Sequence, residues 1–82
     1  MEDELWKMMI ELRKSLKANN ITLFWEQKEE SKPVMVAFFT KKKAVIKFEL
    51  DSILSIIEEY GYDKAYKIIK AEIEKILTEL FE

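Results

Sequence analysis

Three short apolar segments, separated by polar turns of a few residues, constrain the fold of this chain more than any other feature of its sequence. Residues 21–27 and 44–50 alternate between inward and outward side chains, and residues 34–39 are apolar throughout. Alternation is typical of a β-strand with one covered face, whereas a continuous apolar run indicates a strand covered on both faces. Connections this short join neighbouring antiparallel strands. The sequence therefore predicts a three-stranded antiparallel meander with residues 34–39 in the middle.

Segments with helical periodicity flank the predicted sheet on both sides. Residues 3–18 repeat apolar side chains at steps of three and four, and Trp6 and Ile10 widen that apolar face. Residues 51–60 and 63–81 show the same spacing after the third strand. The order helix, three strands, helix, helix (αβββαα) predicts a single α+β domain over the whole chain, with the helices on one face of the sheet.

Residues suited to helix ends stand at the predicted boundaries. We expect Asp3, Asp51 and Asp63 to cap the three helices, because a carboxylate accepts hydrogen bonds from the free N–H groups of a first turn. We expect Asn19–Asn20 to end the first helix and Gly61, the only glycine, to end the second in a left-handed conformation.

The composition excludes several kinds of chemistry. The chain has no cysteine and no histidine, which removes thiol catalysis, disulfides and the commonest metal ligand. A single glycine cannot build a phosphate-binding loop. The segment Glu26-Gln27-Lys28 resembles half of the restriction-type nuclease motif, but the acidic residue which that motif needs on a preceding strand is missing because a helix precedes it. We therefore expect a non-enzymatic protein without cofactor or metal.

Residue usage also bears on location and source. The first residues are acidic, where a signal peptide would be basic, and no apolar run approaches the ~20 residues that span a bilayer. We expect a cytoplasmic protein that does not contact membranes. Lysine and glutamate are abundant and nearly balanced, while Asn and Gln are scarce, which resembles a hyperthermophile proteome and favours an archaeon or one of its viruses as the source.

Helices on one face leave the other face of the predicted sheet open. Phe24 and Val45 belong to this open face, together with either Phe38 or Phe39, because the hairpin register decides which side of the middle strand faces outward. An exposed apolar band is typical of a binding surface, although single apolar side chains are also normal on protein surfaces.

The stripe of the last helix is a second candidate interface. Its spacing in steps of three and four fits a coiled-coil seam, and it equally fits a helix that lies across the sheet. The residues concerned are Tyr66, Ile69, Ile73, Ile76 and Leu80. Because so small a chain builds only a small core, we expect a homodimer, or a complex with another protein, that covers one of these two surfaces.

A basic turn supports an alternative function. Lys41, Lys42 and Lys43 fill the second turn and Lys47 follows, whereas the net charge of the chain is −2. Nucleic-acid binding would therefore depend on this local patch, which lacks nearby residues suited to reading base edges. Lysines in a hairpin turn also solvate it and deter aggregation. The alternative to a protein interface is a nucleic-acid-binding module that holds phosphates with these four lysines.

The αβββα order resembles double-stranded-RNA-binding domains and the Alu-domain subunits of the signal recognition particle, a resemblance that implies RNA binding. It is one of topology alone. Those domains carry a Gly-Pro-x-His loop and a Lys-Lys-x-Ala-Lys helix start, whereas this chain has "KEESK" after its first strand and acidic helix starts, "ELDS" and "GYDK". The acidic starts would repel phosphates.

Overall fold

A computed structural model gives the structure of this chain, and it describes the backbone of residues 2–81 and the side chains of residues 3–79. The elements are α1 (Glu2–Lys17), β1 (Ile21–Glu26), β2 (Val34–Phe39), β3 (Ala44–Glu49), α2 (Leu50–Tyr60) and α3 (Tyr62–Phe81). The three strands form one antiparallel sheet in the order β1-β2-β3. The predicted αβββαα fold class and the predicted meander are confirmed.

The register of β2 decides which side chains are buried. Phe39 pairs with Ile21 on one side and with Ala44 on the other. Since alternate residues of a strand face opposite ways, Phe39 points to the helix-covered side and Phe38 to the open side. Phe39 is only 1% exposed, so the structure corrects its place among the candidate interface residues: Phe39 belongs to the core.

The core lies between the sheet and the helices. α1 packs along β1, α2 follows directly from β3, and α3 packs against α1 and α2. Burying one Leu, Ile, Met or Phe side chain stabilises a fold by about 1.5–3 kcal/mol, so this cluster provides the main driving force. Its largest fully buried side chains are Phe39, Met8, Leu12, Leu16, Ile21, Leu23, Met35 and Ile73.

The connection between α1 and β1 is fixed by hydrogen bonds to the second hairpin turn. Asn20, with φ of 62°, reverses the chain after α1, which confirms the predicted helix end. The backbone N–H and the hydroxyl of Thr40 both donate to the carbonyl oxygen of Asn20, at 3.0 and 2.9 Å. These bonds hold the end of β2 at the start of β1 and so help to fix the register.

The predicted capping residues lie two positions past the cap, inside the first turns of their helices. The helices begin at Glu2, Leu50 and Tyr62, so Asp3, Asp51 and Asp63 are second residues of a first turn and not caps. Glu49 takes the cap position of α2 without a side-chain capping bond, because β3 runs straight into the helix with extended backbone at this residue. A carboxylate in a first turn still stabilises the positive end of the helix dipole.

Gly61 joins α2 to α3 as a single residue. Its N–H donates to the carbonyl of Ile57 at 2.8 Å, and its own carbonyl accepts from Ala65 at 3.0 Å. Its φ of 82° is positive, as predicted, but its ψ of 165° is extended and not left-handed helical. This backbone region is essentially restricted to glycine, because a Cβ there meets the local backbone.

We predict that Gly61→Ala lowers the free energy of unfolding by about 1–3 kcal/mol, since no neighbour blocks a Cβ and only the backbone strain acts. Gly61→Asn should lose a similar amount, because Asn tolerates the left-handed helical region but not this one. Urea unfolding followed by circular dichroism measures both variants. Recovery of wild-type stability in the Asn variant would contradict the extended geometry.

Tyr62 links α3 to α1. The Nζ atom of Lys7 lies 4.7 Å from the centre of its ring. The hydroxyl of Tyr62 is buried and makes no hydrogen bond of good geometry with the described side chains. The carboxylate of Glu11 nevertheless lies close enough to influence the pKa of this hydroxyl. Burial raises the pKa of Tyr62 to about 12, and Glu11 adds to the increase. The folded chain therefore favours the neutral phenol.

We predict that this raised pKa makes stability fall as the pH rises from about 10 to about 12, because the unfolded chain then loses the Tyr62 proton while the folded chain keeps it. Below pH 10 the contribution is fully present. Tyr62→Phe should show a shallower fall over the same range, and an unchanged or higher stability at pH 7. Denaturant titrations at each pH test this, and equal slopes in both proteins would contradict it.

Candidate interaction surfaces

The open face of the sheet carries an apolar band that runs from Phe24 in the middle of β1 to Phe38 and Val45 at the end nearest the second turn. Phe24 and Val45 are 43% and 49% exposed, and Phe38 between them is half-buried. Val36 is on the same face, yet it is only 2% exposed, because Phe24 and Lys47 flank it on the neighbouring strands. The structure thus brings together the predicted Phe24, Phe38 and Val45, and β2 contributes the set that contains Phe38.

The other half of the open face is charged. The Nζ atom of Lys47 lies 3.7 Å from a carboxylate oxygen of Glu26, which places an ion pair across β2. Lys28 also approaches Glu26, at 3.8 Å. Exposed pairs of this kind contribute about 0–1 kcal/mol each, so they orient side chains more than they stabilise the fold. Lys47 therefore lies with Glu26, and much of its charge is compensated there.

The lysine turn forms a separate basic patch. Lys41, Lys42 and Lys43 are all exposed, and none of them forms an ion pair with the side chains of residues 3–79. The N–H of Lys42 donates to the carbonyl of Phe39 at 3.1 Å, and Lys43 has a φ of 53°. This turn holds three positive charges next to the apolar end of the open face.

The stripe of α3 is mostly part of the core. Ile69 and Ile73 are buried within the single chain, while Tyr66 and Ile76 are half-buried against the same cluster. The cause is the packing of α3 against α1 and α2, which covers the stripe. Ile69 and Ile73 are therefore corrected from candidate interface to core residues. The side chain of Leu80 lies outside the described residues.

A groove between α1 and β1 is the feature that sequence reasoning missed. The rings of Trp6 and Trp25 meet edge to face, with centroids 5.1 Å apart and an interplanar angle of 67°. The groove has a volume of about 420 Å³, and its walls are Trp6, Met9, Ile10, Arg13, Leu23, Phe24 and Trp25. Trp6, Ile10 and Trp25 are all exposed, Ile10 by 54%. This groove and the open face share Phe24.

The charged neighbours of Trp6 and Ile10 were the available signal for this groove. On a helix, residues three and four apart share one side, so Trp6 and Ile10 lie with Arg13 and Lys17. A side of the helix that carries two basic residues faces solvent and does not extend the apolar face that packs into the core. Trp25 points to the predicted side of β1, but it lies near the end of the strand and stays 46% exposed although the ring of Trp6 contacts it.

A second groove lies beside β3. Its volume is about 460 Å³, and its apolar walls are Phe48 on β3, Ile53 and Ile56 on α2, and Ile68 and Ile69 on α3. Glu49 and Glu72 also line it. Of its apolar walls only Ile68 is an exposed large side chain, whereas four exposed large hydrophobic residues line the groove beside α1.

Two further observations concern the chemistry of the surface. No helix within the described part of the chain is long and apolar enough to cross a membrane. Among the side chains that the structure describes, no group of three or more acidic residues is arranged to hold a metal ion. Comparison with known proteins finds no matching protein family, no matching curated protein and no matching solved structure.

Proposed function

We propose that this protein is a small non-enzymatic interaction protein that forms a homodimer. One observation carries the proposal: four of the seven exposed large hydrophobic residues among the described ones line a single groove. These four are Trp6, Ile10, Phe24 and Trp25. Monomeric proteins rarely concentrate exposed apolar side chains in this way, and tryptophan is among the residues that contribute most at protein interfaces.

The size of the chain supports the same proposal. A monomer of 9.8 kDa is expected to have an accessible surface of roughly 5,200 Å², whereas this chain has 5635 Å². Its extents of 33 × 31 × 19 Å describe a flat molecule. A standard interface covers roughly 800 Å² per partner, about one seventh of this surface. Association would therefore bury apolar area that the small fold leaves exposed.

We predict that light scattering after gel filtration gives twice the 9.8 kDa chain mass. Phe24→Glu should weaken the dimer at least about 30-fold, because it places a carboxylate where the groove and the open face meet. The matched control is Tyr60→Glu, since Tyr60 is an equally exposed aromatic residue outside the groove. A wild-type chain that stays monomeric at millimolar concentration would refute the homodimer.

Nucleic-acid binding is a second candidate function, favoured by the position of the lysine turn. Lys41, Lys42 and Lys43 border Phe38 and Val45 on the open face, so positive charge lies beside an aromatic side chain on a sheet. Surfaces that bind single strands combine a basic groove with aromatic rings on which bases stack. The ion pair between Lys47 and Glu26 adds little to this patch.

We predict that, if this second function holds, fluorescence anisotropy detects binding of single-stranded RNA at ~50 mM salt that weakens steeply at higher salt. Changing Lys41, Lys42 and Lys43 to Gln should reduce the slope of log K against log salt by about 0.7 for each phosphate that the protein no longer neutralises. A control that changes Lys64, Lys67 and Lys75 to Gln alters the net charge equally on α3. Equal effects of the two triple variants, or no binding at all, would rule out the lysine turn as a site.

A further inference from the structure

We infer that two copies of this chain meet through antiparallel packing of their α1 helices across the Trp6–Trp25 groove. This inference rests on the proposed homodimer and specifies its geometry. The occupant of the groove is a second copy, and the argument is the order of charges along one side of α1.

The exposed flank of α1 carries five aligned residues. At 3.6 residues per turn, they fall within about 80° of the helix circumference. All are exposed, whereas the adjacent side of the helix carries the buried Leu5, Met8, Met9, Leu12 and Leu16. The five flank residues are Asp3, Trp6, Ile10, Arg13 and Lys17.

Charge along this flank changes sign from one end to the other. Asp3 lies near the N-terminus of α1, Arg13 and Lys17 lie in its second half, and Ile10 is at the centre. A second copy in the opposite direction puts its Lys17 near Asp3 and its Arg13 near Trp6, and the two Ile10 side chains touch. A parallel copy would instead set like charges against each other. Two-fold symmetry repeats every favourable contact.

The contact between Trp6 and the Arg13 of the second copy adds a specific interaction. A guanidinium over an indole ring contributes about 0.5–1 kcal/mol at exposed sites, and more when water is excluded. None of Asp3, Arg13 and Lys17 forms an ion pair with the described side chains of its own chain. These three charges are therefore available to a partner, unlike Lys47, which already pairs with Glu26.

The contact also uses the strand beneath the groove. The ring contact places Trp6 beside Trp25, and Leu23 is two residues, roughly 6.6 Å, further along β1. That distance equals about four residues of helix, so Ile10 lies at the level of Leu23 in the middle of β1. A two-fold axis near Ile10 is therefore central to both α1 and β1, and it brings the two Trp25 side chains into the same interface.

Direct pairing of two β1 strands is disfavoured by burial. Ile21 and Leu23 are each 1% exposed, so the middle of this edge strand is already covered by α1 and its side chains. A second strand could reach its backbone only after α1 moved away. Helix flanks and indole rings, and not backbone hydrogen bonds, therefore form the contact.

The first arm of the test compares two apolar sites by sedimentation equilibrium. Ile10→Glu puts two carboxylates together at the symmetry axis, and we expect at least a 100-fold weaker dimer. Ile10 is exposed, so the fold should survive, as far-ultraviolet circular dichroism will show. The control Val45→Glu changes an equally exposed residue at the opposite edge of the sheet and should leave the dimer intact.

The second arm exchanges the charges. Asp3→Lys and Lys17→Glu should each weaken the dimer roughly tenfold, because each reverses two symmetry-related pairs, and the double variant should return to near wild-type affinity. Glu4→Lys is the matched control for Asp3→Lys, since it makes the same charge change on another side of α1. Its effect on the dimer should be less than twofold.

The outcomes separate this inference from the proposed function. A dimer that is insensitive to Ile10→Glu, or a double charge variant that stays weak, overturns the α1 contact and leaves the homodimer standing. Loss of the dimer on Val45→Glu instead would assign the contact to the open face. A monomeric wild type overturns both. Loss on Ile10→Glu together with rescue by the double variant supports the antiparallel α1 pair.

Discussion

The pairing of β2 with its two neighbours is the constraint on which the rest of this structure depends. Because Phe39 lies opposite Ile21 and Ala44, its ring enters the core and Phe38 faces outward. A slip of one residue would expose Met35 and Phe39 and bury Val34 and Phe38 in their place. The two hydrogen bonds from Thr40 to Asn20 oppose such a slip, since they tie the hairpin end to the exit of α1. The open face and its apolar band follow from this register.

The sequence was sufficient for the element order and the sheet because those depend on local patterns. Alternation, short turns and helical spacing are each readable within about ten residues. The side of β2 that faces the helices was not readable, because a strand that is apolar throughout fits either register. The capping aspartates were misplaced by two residues for a related reason. Because β3 passes directly into α2, Glu49 is the last extended residue before the helix and takes the cap position. The preference of Asp for helix caps does not reveal this.

The interface candidates differ in how far they depend on tertiary packing. Phe24 and Val45 followed from strand alternation alone, and the structure places both on the open face. Ile69 and Ile73 required knowledge of where α3 lies, because an apolar stripe has the same spacing whether it contacts α1 and α2 or another chain. The groove beside α1 was missed for the opposite reason. Trp6 and Ile10 are residue types that usually belong to a core. Only Arg13 and Lys17, which lie on the same side of α1, show that this side faces solvent.

The three sides of α1 show why a chain of this size leaves apolar surface unpaired. One side enters the core, and a second faces α3, where Lys7 lies against Tyr62. The third side carries only exposed residues, because α3 packs elsewhere on α1 and the sheet ends at β1. Solubility alone would favour charged residues along that whole third side. Instead its central turns carry Trp6 and Ile10, with opposite charges towards its two ends. That arrangement is self-complementary in one direction only, and this is the property that a symmetric partner requires.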